Sequence, residues 1–188
     1  MCRPSPVIFL IRPFFYAVGF IRIQTNQAFM KPNVPGSVKE EYENLYNSLK
    51  NAAIVPGHVG EAAKDAFRLV QPHYEKDHEF ALPPLRYLTT IADEKLTGEI
   101  EKIHNMSGRL KRQLPQMRVE LDGITRALEK LASVALKEDK REYHTLSRNF
   151  IRFIESEDQI LYPATVLIGD LIAAKAELEG RKLAKLHP

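Results

Sequence analysis

From Val38 to Leu171 the apolar residues recur at every third or fourth position, and no run of alternating β-branched residues bounded by turn pairs occurs. A period near 3.6 puts such residues on one stripe of a helix, whereas a strand would need a period of two. This stretch is therefore expected to fold as helices alone. Gly36-Ser37 starts the first, with Ser37 as N-cap and Glu40 three residues on, and Val38, Tyr42, Leu45, Tyr46 and Leu49 form its stripe up to the break at Pro56-Gly57. The second begins near Gly60, carries Ala63, Ala66, Phe67, Val70, Tyr74 and Phe80, is expected to kink at Pro72, and ends at Leu82-Pro83-Pro84-Leu85. The third is expected from a Thr97 cap to about Lys137, with a bend at Pro115 and a stripe that includes Ile103, Leu110, Met117, Leu121, Ile124 and Leu128. Mixed-sign residues 137–142 make a solvated turn. The fourth carries Leu146, Phe150, Phe153, Ile154, Leu161, Leu167 and Leu171, contains Pro163, and fades into a fraying end. Four helices with short links and one apolar stripe each predict an all-α fold, an antiparallel four-helix bundle.

The first thirty residues do not share this pattern. They hold Arg3, Arg12 and Arg22 and no acid, five of the nine Phe, and the one cysteine, Cys2. The remainder carries 24 basic and 24 acidic residues, so the net charge of +3 belongs wholly to this segment. Its apolar runs, 7–11 and 14–21, are split by Arg12-Pro13 and fall short of the ~18 residues of a spanning helix. The plainest expectation is a start codon ahead of the true one at Met30; a leader or anchor and a docking arm are the alternatives. The division expected is 1–29 as an extension, 30–175 as the bundle and 176–188 as a tail.

Composition excludes several chemistries. One cysteine outside the helical region rules out a disulfide framework, a cysteine-based zinc site and thiol catalysis there. No phosphate-binding glycine loop, nucleophile elbow or His-Glu-x-x-His pair is present. The cluster Arg109, Lys111, Arg112 sits in a charge-neutral region and is expected to be a solvated face, so no nucleic-acid partner is expected.

Four segments carry a resemblance. PHYEKDHEFALPPL (72–85) is similar to the second-helix signature of the hemerythrin-like (HHE cation-binding) domain family, and ESEDQILYPA (155–164) to its fourth. EEYENLYNSL (40–49) resembles its first helix and QLPQMRVELDGITRALEKL (113–131) its third. The resemblance covers about residues 35–170. It implies a bundle in which inward histidines and carboxylates from four helices hold two iron ions that bind or react with O₂. Imidazole suits iron, and carboxylates neutralise paired cations.

Transferred position by position, that ligand set is incomplete here. Tyr42 stands at the first-helix histidine position, and Leu121 at the third. The second-helix pair is His73 with Asp77. The fourth is Phe153 with Glu157. One imidazole of four remains, with both carboxylates. Other histidines do not substitute. His104 lies about 25 Å along the helix from Leu121, His144 is about 13 Å from Phe153 and half a turn out of phase, and His78 is rotated off the His73 face. His58 precedes helix two and His187 is in the tail. Glu75, Glu79, Glu155 and Asp158 read as solvated charges.

Burying Asp77 and Glu157 without a cation costs several kcal/mol per ion. His73, the Tyr42 hydroxyl and Arg118 are the groups expected to offset that. The resulting expectation is a degenerate di-iron site filled by a Tyr/His/carboxylate cluster under Leu121 and Phe153, in a non-catalytic binding, regulatory or structural module. The alternative is a metal-binding protein, mononuclear or di-iron non-haem, in oxygen, iron or redox sensing or storage; in the mononuclear form His73, Asp77, Glu157 and Tyr42 hold one iron, manganese or zinc ion. Haem is not expected. A protein partner or a homodimer, no membrane association of the domain, and a cytoplasmic location complete the expectation.

Overall fold

The computed structural model describes residues 36–92 and 99–186, with side chains to residue 178. Chain contacts divide the protein between Met30 and Lys31, and the description concerns the second unit. The readings for residues 1–29 and the Thr97 cap lie outside the described residues.

Every regular element among the described residues is helical. Helix α1 spans Gly36–Ala52, and α2 spans His58–Lys76. A five-residue π-turn, Asp77–Ala81, extends α2 and passes into a 3₁₀ turn, Pro83–Tyr87, and the short α3, Leu88–Ala92. Helix α4 runs from Ile100 to Lys137. Helix α5, Arg141–Ser156, continues through a second π-turn, Glu157–Leu161, into α6, Tyr162–Leu186. No described helix is long and apolar enough to cross a membrane.

The links are set by local chemistry. Gly57 has φ 93°, where a side chain would be strained, and a Cβ on Gly60 would lie 1.6 Å from the Val55 carbonyl oxygen. Both glycines are thus required for the turn from α1 into α2. Between α4 and α5, Asp139 takes φ 53° while the Lys140 amide bonds back to the Ala135 carbonyl at 2.8 Å, closing α4.

Helix α4 packs on α2, α5 and α6, and α1 packs on α2 and α5, so the contacts close a ring around one core. Ion pairs Arg118–Asp158 and Lys111–Asp170 show α4 and the α5–α6 rod running in opposite senses. Ser107 and Gly169 mark a close crossing of α4 and α6, where a Cβ on Gly169 would meet the Ser107 Cβ at 2.5 Å. Tyr42, Leu49, Leu110, Met117, Phe150 and Tyr162 are among the fully buried core side chains.

Both π-turns have the same cause. Each is capped by a residue followed by proline: Leu82 before Pro83, Tyr162 before Pro163. A proline inside a helix has no N–H and its ring collides with the carbonyl four residues back. The chain relieves this by widening the preceding turn, so the Leu82 and Tyr162 amides bond five residues back, to Asp77 and Glu157.

The extra residue in each wide turn shifts the phase of the chain beyond it. The expected fourth-helix stripe needs correction: Leu161 is half-buried, and Leu167 and Leu171 are exposed. At 100° per residue Leu167 falls about 100° away from Phe150, whereas Ile168 falls in line with it. The inward row is instead Tyr162, Thr165, Ile168 and Ile172. The last helix continues to Leu186.

Candidate functional site

The two π-turns begin with the two carboxylates of interest. Asp77 and Glu157 are each 0% exposed. His73 lies one turn before Asp77 and is also buried. One ligand atom from each of His73, Asp77 and Glu157 lies within 4.8 Å of the others. Three of the four expected site residues thus share one point, and Tyr42 joins through its hydroxyl.

Asp77 is surrounded by donors. Its Oδ2 accepts from the Tyr42 hydroxyl at 2.8 Å and its Oδ1 from the Tyr162 hydroxyl at 2.7 Å. His73 Nε2 is 2.9 Å from the Tyr162 oxygen and 3.5 Å from Asp77 Oδ2. On its other side, His73 Nδ1 is 3.2 Å from Glu120 Oε2. Glu120 Oε1 in turn accepts from Lys76 Nζ at 2.6 Å and from Gln116 at 3.4 Å. A line of polar contacts therefore runs from Tyr42 through Asp77, Tyr162, His73 and Glu120 to half-buried Lys76. The carboxylate behind Nδ1 fixes the imidazole plane and leaves Nε2 turned to the centre.

Glu157 is the opposite case. Neither of its oxygens touches solvent or has a hydrogen-bond donor. Leaving a buried polar atom unsatisfied costs about 1–3 kcal/mol, and more if it is charged. Burial pushes its carboxyl well above the usual range, and facing Asp77 pushes it further the same way. Burial also raises Asp77, while His73 and the bonds from Tyr162 and Tyr42 pull it back. Two like charges this close oppose joint ionisation, and of the two Glu157 is the one pressed harder toward its neutral form.

The tyrosines respond to the same field. Burial, then Glu157 and Asp77, raise both the Tyr42 and Tyr162 hydroxyls well above the ordinary value, so both remain donors. Burial works against ionisation of Glu120, but bonds from Lys76, His73 and Gln116 outweigh it and hold its carboxyl low. The Phe153 ring lies 4.6 Å from that of Tyr42, and Tyr74 meets Tyr42 edge-on at 4.9 Å. Leu121 and Phe153 are buried and bring no donor atom to the cluster.

Arg118 does not serve the pair. It bonds Asp158 at 2.6 Å on the exposed surface, which corrects its place among the neutralising groups. Tyr46 also stands away from the carboxylates, stacked on Tyr74 at 4.0 Å. His58 is exposed beside Glu61, His78 bonds the Tyr74 carbonyl, and His104 faces the Gly169 carbonyl. Half-buried His144 adds nothing to the cluster, and His187 lies outside the described residues.

Sequence reasoning missed Tyr162 and Glu120. Tyr162 is brought inward only by the phase shift of the π-turn, and the available signal was Pro163 immediately after it. Glu120 lies beside Leu121, at the edge of the α4 stripe, and reaches His73 from the flank.

The donor set fits one cation. A single imidazole nitrogen with two carboxylates suits iron, manganese or zinc, and the orphaned Glu157 oxygens are the atoms such an ion would satisfy. Among the described residues His73 is the one imidazole in this cluster, and the neighbouring Leu121 and Phe153 offer no donor. No family profile, curated protein or solved structure matches the chain.

Proposed function

We propose that the chain is a hemerythrin-like module, an antiparallel four-helix bundle, that binds one cation rather than two and acts as a binding or regulatory unit rather than as an enzyme. The observation that supports this most directly is Glu157: a buried carboxyl with both oxygens unpartnered, beside Asp77 and His73. His73 Nε2, Asp77 and Glu157 would hold the ion, with Glu120 orienting the imidazole. Bound iron, manganese or zinc would supply positive charge that lets both carboxyls ionise. The exposures of His73, Asp77 and Glu157 are 2%, 0% and 0%, so nothing larger than an ion or a small diatomic molecule reaches them without movement of the helices. This favours sensing or storage over turnover of a substrate.

A second reading is favoured by Asp77. Its two oxygens already accept from Tyr42 and Tyr162, and a neutral Glu157 beside it needs no counter-ion. On this reading the cluster is a metal-free polar core of a regulatory or structural module.

One experiment separates the two. The protein is purified without chelator, its metal content is measured, and iron, manganese and zinc are titrated into chelator-treated protein. One ion per chain, lost in both His73→Ala and Glu157→Gln, supports the single-cation site. Absence of any bound or titratable ion supports the metal-free core. Two ions per chain with an oxo-bridge absorption band would overturn both.

A further inference from the structure

Helix α6 has a second face unrelated to the carboxyl pair. Its inner side presents Tyr162, Thr165, Gly169 and Ile172 to the core. On the opposite side Leu167, Leu171, Ala174 and Leu178 fall within about 60° of one another at 100° per residue. All four are exposed; Leu167 is 66% and Leu178 57% accessible. Ile160, 62% exposed, and half-buried Ala164 extend the row backward. Scattered exposed leucines are ordinary on a protein surface; a continuous row is not.

The spacing says what covers such a row. Ile160, Ala164, Leu167, Leu171, Ala174 and Leu178 are separated by four, three, four, three and four residues. That is the a/d repeat with which one helix interlocks with another. The flanking charges identify the second helix. Asp170 precedes an a position and Lys175 follows a d position. In a parallel pair of identical helices, the residue before one a position faces the residue after the next d position of the partner, five residues on. Asp170 of each chain then meets Lys175 of the other, twice by symmetry. An antiparallel pair in the register that matches the leucines would instead bring the two Asp170 carboxylates together.

We propose that α6 is a dimerisation surface and that its occupant is α6 of a second copy, in parallel. This pairing does not depend on what lies between Asp77 and Glu157. The row spans under three heptads, so the dimer dissociates on dilution rather than being permanent. Asp170 is exposed and already bonds Lys111 at 2.9 Å, so each pair adds a partner to it without desolvating a bare charge.

Sedimentation of the full chain from low to high micromolar concentration tests the proposal. A concentration-dependent dimer is expected, and it is lost in a Leu167→Glu, Leu171→Glu double variant whose circular dichroism is unchanged. Asp170→Lys alone and Lys175→Asp alone each weaken the dimer, and the two together restore it. A wild-type chain that stays monomeric overturns the proposal, as does a dimer that survives the leucine changes. Failure of the double charge exchange to restore association overturns the parallel arrangement.

Discussion

The two π-turns are the same backbone device with opposite side-chain surroundings. Each opens on a buried carboxyl, closes before a proline, and turns that carboxyl into the core. One turn before Asp77 stands His73; one turn before Glu157 stands Phe153. Asp77 has two tyrosine hydroxyls and an imidazole around it, whereas Glu157 has no donor at all. The difference shows that geometry alone does not define a site. A backbone can deliver two carboxyls to one place, but the residue one turn earlier decides whether each arrives as a partnered group or as an unmet demand for a proton or a cation.

The sharpest way to break the comparison is to remove each carboxyl in turn. Asp77→Ala strands Tyr42, Tyr162 and His73 together and should cost about 3–5 kcal/mol, as breaking a buried charged network does. Glu157→Met, which keeps the volume and removes a group with no partner, should be neutral or stabilising in chelator. Urea unfolding of both variants in chelator checks this, and equal losses would erase the distinction.

Acidity separates the halves next. Glu157 holds its proton more tightly folded than unfolded, because burial and Asp77 raise its carboxyl. Its contribution is therefore complete below the unfolded carboxyl range and is lost as pH rises through that range toward the folded value. Each proton so linked costs up to about 1.4 kcal/mol per pH unit. Asp77 is raised too and contributes with the same sign. Chelated protein should thus lose urea resistance as pH rises above the ordinary carboxylate range, and Glu157→Gln should flatten the slope. A profile that rises with pH in chelator would contradict the protonated Glu157.

Smaller effects are expected at the hydroxyls. Tyr162→Phe removes donation to Asp77 and the contact with His73, while Tyr42→Phe removes one bond to Asp77. The losses should be about 1–3 and about 1 kcal/mol, in that order, by thermal or urea unfolding. At the bottom of the scale, Arg118→Ala breaks an exposed ion pair and should change stability by less than about 1 kcal/mol. Glu120→Gln should be almost as mild in stability, yet lower cation affinity about 10–100-fold by loosening His73. Calorimetric titration of that variant distinguishes orientation of the imidazole from mere packing.

Much of the architecture could be read in the spacing of Val38, Tyr42, Leu49, Leu110, Met117 and Phe150, because a period of 3.6 needs no tertiary information. His73, Asp77 and Glu157 stood out only through resemblance to known signatures, and nothing in their spacing joined residues eighty apart. Leu167 and Leu171 were misplaced by apolar character alone, since at 100° per residue Ile168 and Ile172 continue the Phe150 stripe. Tyr162 was hidden by the π-turn, which inserts a residue without leaving a gap; Pro163 signals that turn, but as a steric cause whose effect lies before it in the chain. Glu120 was illegible for a different reason. It works from the margin of a stripe, where rotamer and the neighbouring helix, not sequence phase, decide what it touches.

The wide turns also have a mechanical meaning. Each interrupts the regular bonding of its helix, so α2 with its extension and α5 with α6 behave as rods jointed at mid-length rather than as stiff spans. Both joints lie at the cluster. A ligand gripping Asp77 and Glu157 would brace the two joints against each other, and its arrival would be felt as stiffness along two rods at once, with amide exchange near residues 77–82 and 157–162 slowing in step.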